Sequence, residues 1–512
     1  MLVKTYGSAV YGVDAEIITI EVNASRGAKF FLVGLPDNAV KESKQRIESA
    51  LKSNDYKWPG RRLIINMAPA NIRKEGSAYD LPLAIGILAA SEQISSGNID
   101  HYVIMGELSL DGGLRPIRGA LPIAIEARSR GFTGFILPKQ NAREAAVVDD
   151  LDIYGVENIR EVVSFFNRIT ELVPTVVDTR NDFFSNVSTY DVDFADVRGQ
   201  ENVKRALEIA AAGGHNIIMV GPPGAGKTML AKRLATVLPP LTLHEALETT
   251  KIHSVAGRIE KDTSLVTCRP FRSPHHTISD VALVGGGTYP QPGEISLAHN
   301  GVLFLDELPE FKRTVLEVMR QPLEDRKITI SRSKFTVEYP ASFMLVASMN
   351  PCPCGYYNHP DKECVCPAGL VRKYLNRISG PLMDRIDIHI EVVPVPFDRL
   401  SEQKKAETSE NIRYRVMRAR KAQMERYKNF KSIYNNAQMT PALLRDICVL
   451  NHECSTLLKN AMEKLGLSAR AYNRILKVSR TIADLDSSEI IQPSHLAEAI
   501  QYRSLDRESW AG

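Results

Sequence analysis

Residues 221–228 read Gly221-Pro222-Pro223-Gly224-Ala225-Gly226-Lys227-Thr228, a complete G-x-x-x-x-G-K-[ST] phosphate loop. Glycines let such a loop wrap an anion without Cβ clashes, so that successive N–H groups point at phosphates. In this pattern Lys227 reaches the β- and γ-phosphates and Thr228 offers its hydroxyl to Mg²⁺. About eighty residues on, Gly301-Val302-Leu303-Phe304-Leu305-Asp306-Glu307 is an apolar strand ending in two carboxylates. Asp306 is suited to the Mg²⁺ shell and Glu307 to polarising an attacking water. A strand ending in Asp-Glu is a weak signal alone; behind a phosphate loop it implies a nucleotide hydrolase.

These residues need strands and helices to hold them. Asn216–Val220 is an apolar run that reads as a buried strand, and Thr228–Leu234 reads as an amphipathic helix. From Val197 strands and helices alternate, the mark of a parallel α/β sheet. Upstream, residues 1–170 alternate short strands (Ala15–Val22, Arg62–Met67) with helices (Asn38–Lys52, Leu81–Ala90), an α+β pattern. Residues 171–196 are polar and aperiodic and are expected to be a linker. The nucleotide-binding core is expected to span 197–395 and a helical lid 396–512.

Composition bounds the rest. The 512 residues suffice for two to four domains, and 44% hydrophobic with 24% charged is ordinary for a globular chain. No apolar stretch approaches the ~20 residues of a membrane span, and Met1–Ser8 lacks the apolar core of a signal peptide. Seven cysteines, an odd number with four clustered, suit a reducing compartment, so the cytoplasm is expected. A net charge of +4 is too small to imply a nucleic-acid partner. Residues 401–440, with ten Lys/Arg against four Asp/Glu, are either a solvated helix face or a polyanion-binding one.

Further signals narrow the class. Phe343–Asn350 is another apolar strand, and Asn350 stands where the sensor-1 residue of AAA+ ATPases orients the lytic water. Gly380-Pro381-Leu382-Met383-Asp384-Arg385-Ile386-Asp387 resembles the arginine-finger segment of that class, whose arginine stabilises γ-phosphate charge in a neighbouring subunit. Arg470 opens a lid helix where sensor 2 is expected. The strings Phe271–Ser279, Pro292–His299 and Asn350–Gly355 then make the match closer. Over nearly all 512 residues the chain resembles the YifB/ComM family of magnesium-chelatase-like AAA+ proteins. The resemblance implies an α/β AAA+ P-loop core with a helical lid, ATP and Mg²⁺, and a homo-hexameric helicase-type motor. It also implies a hairpin before sensor 1, here Lys327–Glu338, presenting Arg332 and Lys334 to single-stranded or branched DNA, and branch migration during natural transformation. Two other readings stay open: a chelatase-type ATPase subunit and a protein-remodelling ATPase.

The N-terminal stretch Gly106–Ile117 resembles Lon-type proteases, implying a Lon-like (ribosomal S5 domain 2-like) fold. Ala78 stands at the position of the Lon serine and Leu121 at that of its lysine, so the Ser–Lys dyad is missing.

Cys352-Pro-Cys354 and Cys364-Val-Cys366, nine residues apart, could supply four thiolates to a tetrahedral Zn²⁺. The intervening segment is polar and has no core of its own, so a metal would give it order. Two-residue spacing within each pair is more usual; a reduced cysteine loop or a redox disulfide is the alternative, and His359 is a spare ligand.

Overall fold

A computed structural model describes residues 1–185, 191–260, 263–287, 290–332, 335–357, 359, 362–395, 406–430 and 433–503. In the strand Asp14–Ser25, Ile18, Ile20, Val22 and Ala24 alternate onto one buried face. It forms a hairpin with Leu2–Tyr11 and joins a seven-stranded mixed sheet. From edge to edge the order is Phe30–Val33, Arg62–Ala68, Asp14–Ser25, Leu2–Tyr11, Tyr102–Ile104, Gly134–Pro138, Asp152–Val156. The helix Asp80–Ala90, buried at every position, covers this sheet. The expected helix 38–52 is two, Asn38–Lys41 and Ser43–Ser53.

The second sheet is parallel throughout and has five strands, ordered Phe271–Arg272, Val302–Leu305, Met344–Met349, Ile217–Val220, Ile388–Glu391. The three middle strands are buried along their whole length, as expected of strands covered on both faces. This is the α/β AAA+ core read from the sequence. The helices Ser409–Tyr427, Pro441–Ile447, His452–Leu465, Ala469–Leu485 and Pro493–Gln501 follow it.

The segment expected to be a linker contains regular structure. Thr179–Ser185 is a helix whose Phe183 is buried with Leu241 and Ala246, and the Asp182 carboxylate accepts from Arg143 at 3.1 Å and Ser264 at 3.0 Å. Its order comes from partners distant in sequence, which local periodicity does not reveal. Within the basic stretch 401–440, three arginines turn inward: Arg415 pairs with Glu208 at 2.5 Å, Arg420 donates to the Ala211 carbonyl, and Arg426 pairs with Asp484 at 2.5 Å. These arginines fasten the last helices to the core and to one another, so they form no free polyanion-binding face.

The N-terminal sheet is docked on the core. The N–H of Gly119 donates to the Ser254 carbonyl at 3.1 Å, and the Tyr11 hydroxyl to the carbonyl of Thr336 at 2.8 Å. Thr336 lies in the hairpin of Lys327–Arg332 with Phe335–Pro340. Among the described residues no helix is long and apolar enough to cross a membrane.

Candidate functional site

Parallel register builds the nucleotide cleft. Leu305 lies opposite Ala347 and Val220 opposite Met349, so the chain emerging from each strand delivers Asp306 beside Ser348 and Gly221 beside Asn350. Ligands of open α/β sheets bind at these carboxyl ends. The resulting cleft, about 410 Å³, is lined by the loop from Pro223 to Met229 together with Asp306, Glu307, Ser348, Met349 and Asn350.

Gly226 sits at φ 87°, a left-handed conformation that turns the loop into the helix Lys227–Val237. The N-terminus of that helix faces the cleft with its positive dipole end. The Lys227 ammonium donates to the carbonyls of Gly221 at 2.7 Å and Pro222 at 2.9 Å, and to Asn350 Oδ1 at 3.0 Å. Burial lowers its pKa, and the carboxylates of Asp306 and Glu307 oppose that shift. Thr228 Oγ1 donates to Asp306 Oδ2 at 2.7 Å, and the Ser348 hydroxyl donates to the other oxygen of Asp306. A hydroxyl and a carboxylate in contact are the oxygen donor set that Mg²⁺ prefers. The donor chemistry therefore fits a Mg²⁺–nucleotide.

Glu307 adopts a left-handed backbone at φ 54°, which is costly for a residue with a Cβ and is concentrated at functional sites. The strained turn leaves its carboxylate half exposed, 3.6 Å from His276 Nδ1. The sequence assigns no role at this site to His276 or to Ser348. Both His276 and Ser348 reach the acidic pair through tertiary register, for which one sequence carries no local signal. The motif strings are joined as well: Arg272 of the first forms a bidentate pair with Glu294 of the second at 2.7 and 2.8 Å.

Arg385 does not project from the protomer as the finger-like reading expects. Its side chain is 8% exposed, with one nitrogen 2.6 Å from Glu324 and another donating to the Pro381 carbonyl. The acidic neighbour and the backbone turn hold it in. Arg470, at the start of the helix Ala469–Leu485, is 60% exposed and 3.2 Å from Asp384, a pair that contributes little by itself. One turn on, Arg474 is 2.9 Å from the buried Asp387, which also meets His215 at 3.3 Å. Burial alone would raise the Asp387 carboxyl, but Arg474 and His215 hold it below the usual carboxylate range.

Arg332 lies at the end of its hairpin strand, paired with Phe335, and Lys334 lies outside the described residues. A second cleft, about 770 Å³, opens beside the acidic turn and was not read from the sequence. Arg313, Arg372, Lys373 and Arg377 line it, with Glu310 as the lone carboxylate, 2.9 Å from Arg377.

The four clustered cysteines converge. All four sulfurs lie within 4.8 Å of one another, with Cys352 3.3 Å from Cys354 and each of these 3.6 Å from Cys364. His359 is not among them; its Nδ1 accepts from the Lys362 N–H. In the N-terminal unit Leu121 is buried with Val147 and Leu265, and Ser77, next to Ala78, donates to the Glu107 carboxylate. No amine stands at Leu121 to activate a serine.

Comparison with known proteins agrees with this architecture. Residues 193–400 match the family model described as magnesium chelatase, subunit ChlI. Residues 20–141 match the model of subunit ChlI of Mg-chelatase, and residues 406–503 that of the ChlI C-terminal region. Competence protein ComM of Haemophilus influenzae is 46% identical over 509 residues, 99% of this chain and 98% of that protein. The uncharacterised protein YifB of Escherichia coli is 44% identical over 506 residues, 98% and 96% of the two chains. Lon protease 2 of Bacillus subtilis is 32% identical over 159 residues, 28% of this chain and 27% of its own. With the site geometry, the full-length matches place the chain in the ComM/YifB family of magnesium-chelatase-like AAA+ proteins.

Proposed function

We propose that this chain is an ATP-driven motor that remodels DNA as a homo-hexamer, moving single-stranded or branched substrates. The observation that carries the ATPase half is the convergence of Lys227, Thr228, Asp306, Glu307 and Asn350 on one cleft. Lys227 and the loop N–H groups bind the β- and γ-phosphates, and Thr228 and Asp306 hold Mg²⁺, which neutralises phosphate charge when bound. Glu307 takes the proton of the attacking water, and Asn350 orients that water. Arg385 acts on a neighbour's nucleotide, which requires its release from Glu324 as protomers assemble, and Arg470 takes the sensor-2 place on the lid.

The DNA half is supported by three things: similarity along the whole chain to a protein named for competence, the hairpin whose first strand ends at Arg332, with Lys334 two residues on in the sequence, and the basic cleft around Arg372. Cationic side chains that line a path bind a phosphodiester backbone by displacing its counterions. The reading is tested by the steady-state ATPase rate with and without forked DNA. A rise on adding forked DNA, suppressed by salt, is the expected result. A rate indifferent to DNA but raised by an unfolded protein would favour protein remodelling instead.

A further inference from the structure

The cysteine loop is built onto the nucleotide site at three points. Its first cysteine is two residues beyond Asn350, whose side chain meets Lys227. Gly355, at φ 85°, is pressed against Pro223 of the phosphate loop, where a methyl group would overlap the proline ring. After the last cysteine the chain enters the helix Ala368–Leu375, whose buried Tyr374 brings its hydroxyl near the backbone of Asn350. The loop therefore leaves Asn350, touches Pro223 and comes back beside Asn350.

Its own packing is too slight to fix those contacts. Cys352 and Gly355 are buried, but Cys354, Cys364 and Cys366 are only partly covered and the residues around them are polar. The sulfurs supply the missing order. In a tetrahedral thiolate site with Zn–S bonds of about 2.3 Å, sulfurs lie about 3.8 Å apart, close to the separations here. Three sulfurs at near-equal mutual distances suit the ligands of one ion, whereas two disulfides would sort them into pairs. A multi-iron cluster spreads its cysteines over several metals, wider than the 4.8 Å that bounds this group.

We propose that Cys352, Cys354, Cys364 and Cys366 bind one Zn²⁺ and that this ion anchors the ATP pocket by holding Asn350 and Pro223 in place. The second half rests on the nucleotide-site reading above. Without the metal the loop loses its cross-link, Gly355 releases Pro223, and the phosphate loop and Asn350 lose their support.

The test uses the full-length protein. Metal analysis of the purified chain is expected to find one zinc per chain; no zinc, or one iron in its place, overturns the site. The variant C364S/C366S is expected to lose zinc and to bind a fluorescent ATP analogue about tenfold more weakly. Zinc loss with unchanged analogue affinity overturns the anchoring. Because that variant is at risk of misfolding, Gly355→Val provides an independent check: it keeps the four thiolates but displaces Pro223. It is expected to retain one zinc and still bind the analogue more weakly, and wild-type affinity would overturn the coupling. If the wild type binds no analogue at all, the nucleotide reading fails while the zinc count still decides the metal site.

Discussion

Lys227 donates to Asn350 at 3.0 Å, joining the phosphate loop to the end of a strand 123 residues downstream. This hydrogen bond ties the group that binds phosphate to the group proposed to orient water. The two residues are therefore expected to fail differently. Lys227→Ala removes a charge-assisted phosphate contact and is expected to weaken ATP binding by about one to two orders of magnitude. Asn350→Ala is expected to keep most of the binding and lose turnover. Equilibrium binding of a fluorescent ATP analogue, measured beside the ATPase rate, separates them; equal loss of affinity in both variants would refute the division of labour.

Glu307→Gln keeps the size and hydrogen-bonding reach of the side chain but removes the base. It is expected to bind ATP as the wild type does and to hydrolyse it about 10²- to 10⁴-fold more slowly. Wild-type turnover would assign the base to another group, with His276, 3.6 Å away, the next to test.

Arg385 has a partner in its own chain, Glu324, so its loss has two distinguishable meanings. If it serves a neighbour's γ-phosphate, Arg385→Ala is expected to lose turnover by about 10³-fold or more while binding ATP normally. Mixing it with Lys227→Ala subunits is then expected to restore activity where intact halves meet. A fall in melting temperature with no rescue on mixing would make Arg385 a brace for Glu324 instead.

The junction between core and lid predicts acid sensitivity. Burial pushes His215 and His389 below the usual histidine value, so the folded protein holds them neutral while the unfolded chain takes up protons. Their contribution is complete above about pH 6.5 and is lost as pH falls toward the folded values, by about 1.4 kcal/mol per pH unit for each. Asp387, held low beside Arg474, keeps its contribution until the pH falls below about 4, the unfolded carboxylate value. Melting temperature is therefore expected to drop between pH 6.5 and 5, with a shallower drop in His215→Gln. A flat profile over that range would contradict the buried neutral histidines.

What the sequence made legible was whatever is contiguous. The phosphate loop, the strand ending in Asp306-Glu307 and the strand leading to Asn350 could be read because each motif carries its flanking element with it. The groups that reach these motifs from elsewhere could not. Ser348 meets Asp306 only because two parallel strands share a register. Arg385 looked like an outward arginine because nothing nearby in sequence announces Glu324, 61 residues earlier. The helix Thr179–Ser185 owes its order to Leu241 and Ala246, and the inward turn of Arg415 and Arg426 to Glu208 and Asp484. The convergence of the cysteines agrees with their spacing, but their attachment to Pro223 is a contact that spacing does not encode.

The central claim is that ATP hydrolysis at this cleft moves DNA, and the most direct measurement is movement of a synthetic four-way junction by the full-length protein. With ATP and Mg²⁺ the wild type is expected to convert the junction to its duplex products, and Glu307→Gln is expected to bind it without converting it. R332A/K334A and R372A/K373A are expected to keep basal ATPase, lose junction movement and flatten the salt dependence of binding. Failure of the wild type to bind or move the junction at low salt, with ATP turnover intact, would contradict the account and leave a motor acting on something other than DNA.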